Sequence, residues 1–165
     1  KGPLKPKEST NVKTLVMLHN PKVAGQSLRS SLSAATDAHL ISASDGKDIG
    51  HGDLKHSYLR AQKVLKNDLK QAIPFVFVRN PFQRLLSAFF HVSERGEIHL
   101  QHALPSELKI QYIKQYQKYG YNFEQFMKDG AFTTSSLPHY KPQVTWVLNT
   151  KKERCVNFVG YFETL

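Results

Sequence analysis

Leu15-Val16-Met17-Leu18-His19-Asn20-Pro21-Lys22-Val23-Ala24-Gly25-Gln26-Ser27-Leu28 decides how this chain is read. Residues 13–19 read as a buried strand. Residues 25–36 read as a helix, with Leu28, Leu32 and Ala35 at helical spacing. Between them lies a tight loop holding a lysine and a glycine, with the hydroxyl of Ser27 opening the helix. Backbone N–H groups at a helix N-terminus point at an anion, and the helix dipole favours negative charge there. Lys22 adds a full charge. The spacing is not that of a Walker A loop, because Lys22 precedes Gly25 instead of following a second glycine. Taken alone, the loop reads equally as an ordinary strand-to-helix turn.

A second stretch repeats the logic. Ile73-Pro74-Phe75-Val76-Phe77-Val78 reads as a buried strand, with Pro74 near its start where it is tolerated. Arg79 follows at its C-terminal end, where open α/β sheets bind ligands. Asn80 is an N-cap and Pro81 a first helical residue. Phe82, Leu85, Leu86, Phe89 and Phe90 then form one apolar stripe. Ser87 falls off that stripe and shares a face with Arg84 and His91. On this reading Ser87 points where Arg79 points; the plainer alternative is a paired Arg79 and a solvated serine.

The remaining elements are read more coarsely. Residues 1–12, with two prolines and three lysines, form a flexible lead-in to a single domain over 13–165. A short strand is expected at 39–43, a loop at 44–53, a basic helix near 56–71, and helices at 105–119 and 122–128. Residues 133–138 read as a loop and 143–148 as helix or strand. A late strand is expected at 156–160. Strands alternating with helices predict an α/β fold with a mostly parallel sheet covered on both faces.

Composition narrows the partners. The chain has 165 residues and a formal charge of +10, which favours anionic ligands. No apolar run reaches the ~20 residues that span a bilayer. The single Cys155 excludes an intrachain disulfide and a cysteine-based zinc site. With no Asn-x-Ser/Thr sequon either, the expected setting is cytoplasmic, of bacterial type. The chain begins at Lys1 without a methionine, so a trimmed leader or anchor would place it in the Golgi lumen instead.

Two histidines are candidates for proton transfer. His51 lies in Gly50-His51-Gly52 with Asp53 beside it, and His139 in His139-Tyr140-Lys141-Pro142-Gln143. An imidazole titrating near neutrality suits a general base for a hydroxyl nucleophile. His51 reads equally simply as a surface-loop histidine, one of eight histidines in the chain.

Together these pieces resemble PAPS-dependent sulfotransferases, which use 3′-phosphoadenosine 5′-phosphosulfate. His19-Asn20-Pro21-Lys22-Val23-Ala24-Gly25-Gln26-Ser27 resembles the family's 5′-phosphosulfate loop, His-x-Pro-Lys-x-x-Gly-x-Ser/Thr. Arg79-Asn80-Pro81-Phe82-Gln83-Arg84-Leu85-Leu86-Ser87 resembles its 3′-phosphate motif, Arg-(Asp/Asn)-Pro-x-x-Arg-x-x-Ser. The two stand in the family's order and at its separation. Within it, the carbohydrate branch (chondroitin and heparan sulfotransferases and bacterial relatives) is the nearest likeness. His139-x-x-Pro142-Gln143 resembles a branch element, as does Val156-Asn157-Phe158-Val159-Gly160-Tyr161-Phe162-Glu163-Thr164-Leu165. Gly50-His51 sits where heparan 2-O-sulfotransferases carry a Gly-His.

The resemblance implies a P-loop-like three-layer α/β/α fold and sulfuryl transfer from PAPS to a hydroxyl, on a carbohydrate. It implies Lys22 at the reacting end, with Lys22, Val23, Ala24, Gly25, Gln26, Ser27 and Leu28 around the 5′-phosphosulfate. It implies Arg79 and Ser87 on the 3′-phosphate, His51 or His139 as base, and no metal and no nucleic-acid partner. Val23-Ala24 departs from the usual Thr-Gly or Thr-Ala. Relatives also continue past the position of Leu165, so a C-terminally shortened chain or a small member is expected. Two competing readings remain. A P-loop-like kinase lacks its Walker spacing and an acidic strand end here. A non-enzymatic polyanion-binding module lacks aromatics interleaved with its lysines.

Overall fold

The computed structural model describes residues 14–36, 39–42, 72–101, 107–148, 151–154 and 156–165. The expected lead-in, the loop at 44–53 with His51, the helix near 56–71 and Cys155 lie outside the described residues.

Strand β1 (Thr14–Leu18) runs into helix α1 (Gly25–Ala35), which returns to β2 (His39–Ser42). Strand β3 (Ile73–Val78) leads to α2 (Pro81–Leu100), α3 (Glu107–Tyr119), α4 (Phe123–Lys128) and the short α5 (Ala131–Thr134). Two 3₁₀ turns, Pro138–Tyr140 and Gln143–Trp146, precede β4 (Phe158–Tyr161). The four strands form one parallel sheet in the order β2-β1-β3-β4. From β1 the chain steps first to one side, to β2, and then to the other, to β3. The order thus reverses between β1 and β3, and α/β sheets bind ligands in the crevice at such a point, beyond the C-terminal strand ends.

Strand alternation sorts the core. Met17 and Phe75 pack with Leu28, against Leu15, Leu32 and Phe77, under α1. Val16, Leu18 and Val76 point to the opposite face and are covered by Trp146 and Val156. Period-two burial on both faces explains why these strands read as continuous apolar runs. The fold is α/β, as the motifs predict.

A separate aromatic cluster joins α2, α3 and α4 through Phe89, Val92, Tyr112, Tyr119, Phe126 and Tyr140. The expected stripe on α2 is corrected here. Phe82 is 77% exposed, and Leu86 and Phe90 are also exposed, while the buried face carries Arg84, Ala88, Phe89, Val92, Ser93 and Gly96. The reason is close approach: a Cβ on Gly96 would lie 2.3 Å from the Tyr112 carbonyl oxygen of α3. Small residues, not the bulkiest ones, mark the side on which α3 sits.

The expected loop at 133–138 opens instead within α5, and 143–148 is a 3₁₀ turn followed by an isolated bridge between Leu148 and Arg154. Asn80 is the N-cap of α2, its side chain accepting from the N–H groups of Phe82 and Gln83, with Pro81 in the first turn.

Candidate active site

The loop after β1 is built on strained backbone and a close ring. Lys22 and Ala24 have φ of 68° and 55°, in the left-handed region that L-residues seldom occupy. Ala24 caps α1 without a side-chain hydrogen bond, and no acidic residue sits in the first turn. The N-terminal N–H groups of an eleven-residue helix are therefore directed at the loop without a side-chain acceptor capping them. A Cβ on Gly25 would stand 2.9 Å from the His19 ring, so the glycine lets that imidazole lie against the helix start. Ser27 is exposed, Val23 and Leu28 are buried, and Lys22 is half-buried.

Backbone carbonyls of this loop are held by two arginines from the second motif. Arg84 is buried; its Nε donates to the Pro21 carbonyl at 3.0 Å and its Nη1 to the Lys141 carbonyl at 3.0 Å. Its guanidinium lies 5.5 Å above the Trp146 ring, and burial pushes its pKa down to about 10. Arg79 Nη1 reaches the Lys22 carbonyl at 3.4 Å. The Arg79 guanidinium stacks 4.4 Å over Phe162, and its buried Nε has no hydrogen-bond partner among the described residues.

The strand ends are tied together by Gln143. Its Oε1 accepts from Arg79 N–H at 2.8 Å and from Asn20 Nδ2 at 3.0 Å, and its Nε2 donates to the Arg79 carbonyl at 2.6 Å. Asn20, fully buried, also donates to the Phe77 carbonyl. One glutamine side chain thus acts as an extra strand segment beside Arg79. Glu163 completes the brace by accepting from Asn80 N–H at 2.5 Å, which with the nearby Arg79 charge holds its carboxyl below the usual range.

Lys22 opens onto a cleft of about 390 Å³ whose other walls are Ser87, Phe90, His91, Glu94 and Tyr121. Burial, aided by the charges of Arg79 and Arg95, lowers the Lys22 pKa; Glu94 opposes the shift. The structure brings Lys22 and Ser87 into one cleft, while Arg79, expected to face the same way as Ser87, stands outside that cleft's lining, beside the loop at the Lys22 carbonyl. It does not bring His139 into the cleft. That ring is buried, packed on His91 at 5.3 Å between centroids and edge-on against Tyr112 at 5.8 Å. Among the described residues, His91 is the histidine that lines the cleft; His51 lies outside the described residues.

Arg84, Gln143, Phe162 and Glu163 escaped functional reading in the sequence. All four stand inside the quoted motifs, and that position is the only sequence signal for them. Among the described residues, no group of three or more His, Cys, Asp or Glu side chains clusters as a metal site would. No described helix is long and apolar enough to cross a membrane.

Comparison with known proteins fits this geometry. The model of the sulfotransferase family matches residues 10–165. Neither a curated protein nor a solved structure gives a match. A family match over nearly the whole chain, with both motifs meeting at the switch point of the sheet, makes the chain a member of the sulfotransferase family and a sulfuryl-transferring enzyme.

Proposed function

We propose that the enzyme moves a sulfuryl group from PAPS to a hydroxyl group of a carbohydrate. The observation that carries this reading is the meeting of Lys22, the uncapped α1 N-terminus and Arg79 beyond the ends of β1 and β3. Two anionic groups of one nucleotide need two separate cationic seats, and Arg79, with a buried Nε left to donate, suits the second.

In this mechanism the N–H groups of 24–28 and the Ser27 hydroxyl hold the 5′-phosphate, while Arg79 and Ser87 hold the 3′-phosphate. The acceptor oxygen attacks sulfur in line. The bond from sulfur to the 5′-phosphate oxygen breaks, and its electron pair leaves on adenosine 3′,5′-bisphosphate. Lys22 neutralises that leaving oxygen. Transfer of this kind depends on positioning and charge stabilisation, which these residues supply without a metal. The acceptor proton passes to His51; His139, packed on His91, is the reserve candidate.

The carbohydrate acceptor rests on the His139-x-x-Pro142-Gln143 and C-terminal elements, which here brace Arg79. A cytoplasmic setting rests only on the lone Cys155 and the missing sequon.

Binding of adenosine 3′,5′-bisphosphate against adenosine 5′-monophosphate tests the donor site. Arg79→Ala should cost about 1.5–3 kcal/mol, roughly ten- to a hundredfold, for the bisphosphate alone. Unchanged preference would sink the assignment. His51→Ala should abolish turnover with nucleotide affinity intact; surviving turnover would move the base to His139.

A further inference from the structure

Ser87, Phe90, His91 and Glu94 fall on one face of α2, at i, i+3, i+4 and i+7, and all line the cleft that Lys22 enters. The face extends about 10 Å beyond Ser87, at the helical rise per residue. If Ser87 marks the nucleotide and Lys22 the reacting end, this continuation is open to an acceptor. The inference rests on the proposed donor site in that respect.

The continuation carries an aromatic pair held in place. Phe90 and Tyr121 are stacked, with centroids 6.4 Å apart and planes at 20°, and remain 43% and 47% exposed. Tyr121 Oη donates to Glu97 Oε2 at 2.5 Å, and Tyr116 Oη donates to Glu97 Oε1 at 2.9 Å. Tyr116 also packs edge-on against Tyr121, 5.8 Å between centroids. A carboxylate shared by two phenols fixes the Tyr121 ring while leaving part of it open to the cleft. Glu94 stands in the same cleft, and its charge is felt by both Lys22 and Tyr121.

We infer that Phe90 and Tyr121 form an acceptor subsite that takes the C–H face of a neutral pyranose ring, with Glu94 accepting hydrogen bonds from its hydroxyls. A rigid, part-exposed aromatic surface beside a hydrogen-bonding carboxylate matches both sides of a sugar ring, apolar on one face and hydroxylated at its edge. Glu94 also repels a carboxylated or sulfated ring at this position, so the subsite selects against the acidic sugars that a charge of +10 would favour elsewhere.

Saturation-transfer NMR on the whole chain, with adenosine 3′,5′-bisphosphate present, tests this directly. The probes are methyl β-D-galactopyranoside and methyl β-D-glucuronide. Saturation should reach the ring C–H protons of the galactoside, and the glucuronide should bind several-fold more weakly. Tyr121→Ala should weaken the galactoside roughly tenfold, with bisphosphate affinity unchanged; Tyr121→Phe, which keeps the ring, should retain binding. Glu94→Gln should narrow the gap between the two sugars. No saturation of either sugar in the parent protein overturns the subsite. So does loss of bisphosphate affinity in Tyr121→Ala, which would make the pair an adenine platform. A glucuronide that binds as tightly as the galactoside overturns the role of Glu94. Failure of the donor reading is seen separately, as a parent protein that does not bind adenosine 3′,5′-bisphosphate at all, and it removes the subsite with it.

Discussion

Two buried regions of this molecule differ in what dominates them, although the first also holds a buried Gln115 that accepts from Tyr140 Oη. Between α2, α3 and α4, Phe89, Phe126, Tyr119 and Tyr140 pack ring against ring, with centroids about 5 Å apart. At the ends of β1 and β3, the buried groups are Asn20 and Arg84, and backbone carbonyls accept from both. Apolar packing is tolerant of shape, because dispersion and burial are non-directional. Buried polar groups are not, since each lost partner leaves a desolvated donor or acceptor. The first region secures stability. The second fixes where a lysine, a guanidinium and a row of N–H groups point.

The largest expected effect tests the first half of that contrast. Phe126→Ala empties the centre of the aromatic cluster and should cost about 3–5 kcal/mol by urea denaturation. Adenosine 3′,5′-bisphosphate affinity of the folded fraction should stay within a factor of two or so, because no loop contact is removed. A large affinity loss at full folding would mean that the bundle also positions the site.

Arg84→Met is the matched change at the strand ends. It keeps an apolar side chain of similar length and deletes the guanidinium over Trp146 with its donors to Pro21 and Lys141. The expected loss is about 3 kcal/mol, from two charge-assisted hydrogen bonds partly offset by the easier burial of methionine. Unlike Phe126→Ala, it should also weaken bisphosphate binding, since the loop loses its anchor. Stability loss without affinity loss would place Arg84 with the ordinary core.

Gln143→Ala removes partners from Asn20 and from both backbone groups of Arg79 while leaving every proposed ligand-binding residue in place. About 2 kcal/mol of stability and roughly tenfold in bisphosphate affinity should be lost. Affinity for adenosine 5′-monophosphate should change less, because the brace acts on Arg79. Equal losses for both nucleotides would show that Gln143 supports the loop rather than the arginine.

The contrast also explains what was legible in the sequence. Strands β1 and β3 were readable because a doubly buried strand must be apolar, and the start of α1 because Gly25 and Ser27 come soon after such a strand. Asn80 and Pro81 announced their helix by cap chemistry alone. The face of α2 was misread because periodicity registers apolar bulk, whereas Gly96 and Ala88 decide how closely α3 approaches. Phe82 and Leu86 thus look like core and stay exposed. Gln143, Phe162 and Glu163 were visible as a pattern but not as a brace. Their partners, Arg79 and Asn80, lie 64 or more positions away, and nothing local to either segment records the pairing. His139 shows the converse: a histidine in a family-like element reads as chemistry, yet its ring is buried against His91.

The smallest expected effect concerns the charge of Lys22. Burial lowers its pKa from 10.5 in the free protein. Below that lowered value both folded and unfolded chains carry the proton. Between it and 10.5 the unfolded chain binds more protons, so this group's contribution makes stability rise with pH there. A bound bisphosphate reverses the shift, because its negative charge favours the ammonium form. Bisphosphate affinity should therefore fall as pH rises through the free-state pKa, and binding in that window should take up protons. Calorimetry in buffers of different ionisation enthalpy reads the uptake. Lys22→Arg, charged throughout the range, should lose that share of uptake and show a flatter affinity profile. A parent protein with the same flat profile would mean that Lys22 does not face the anion.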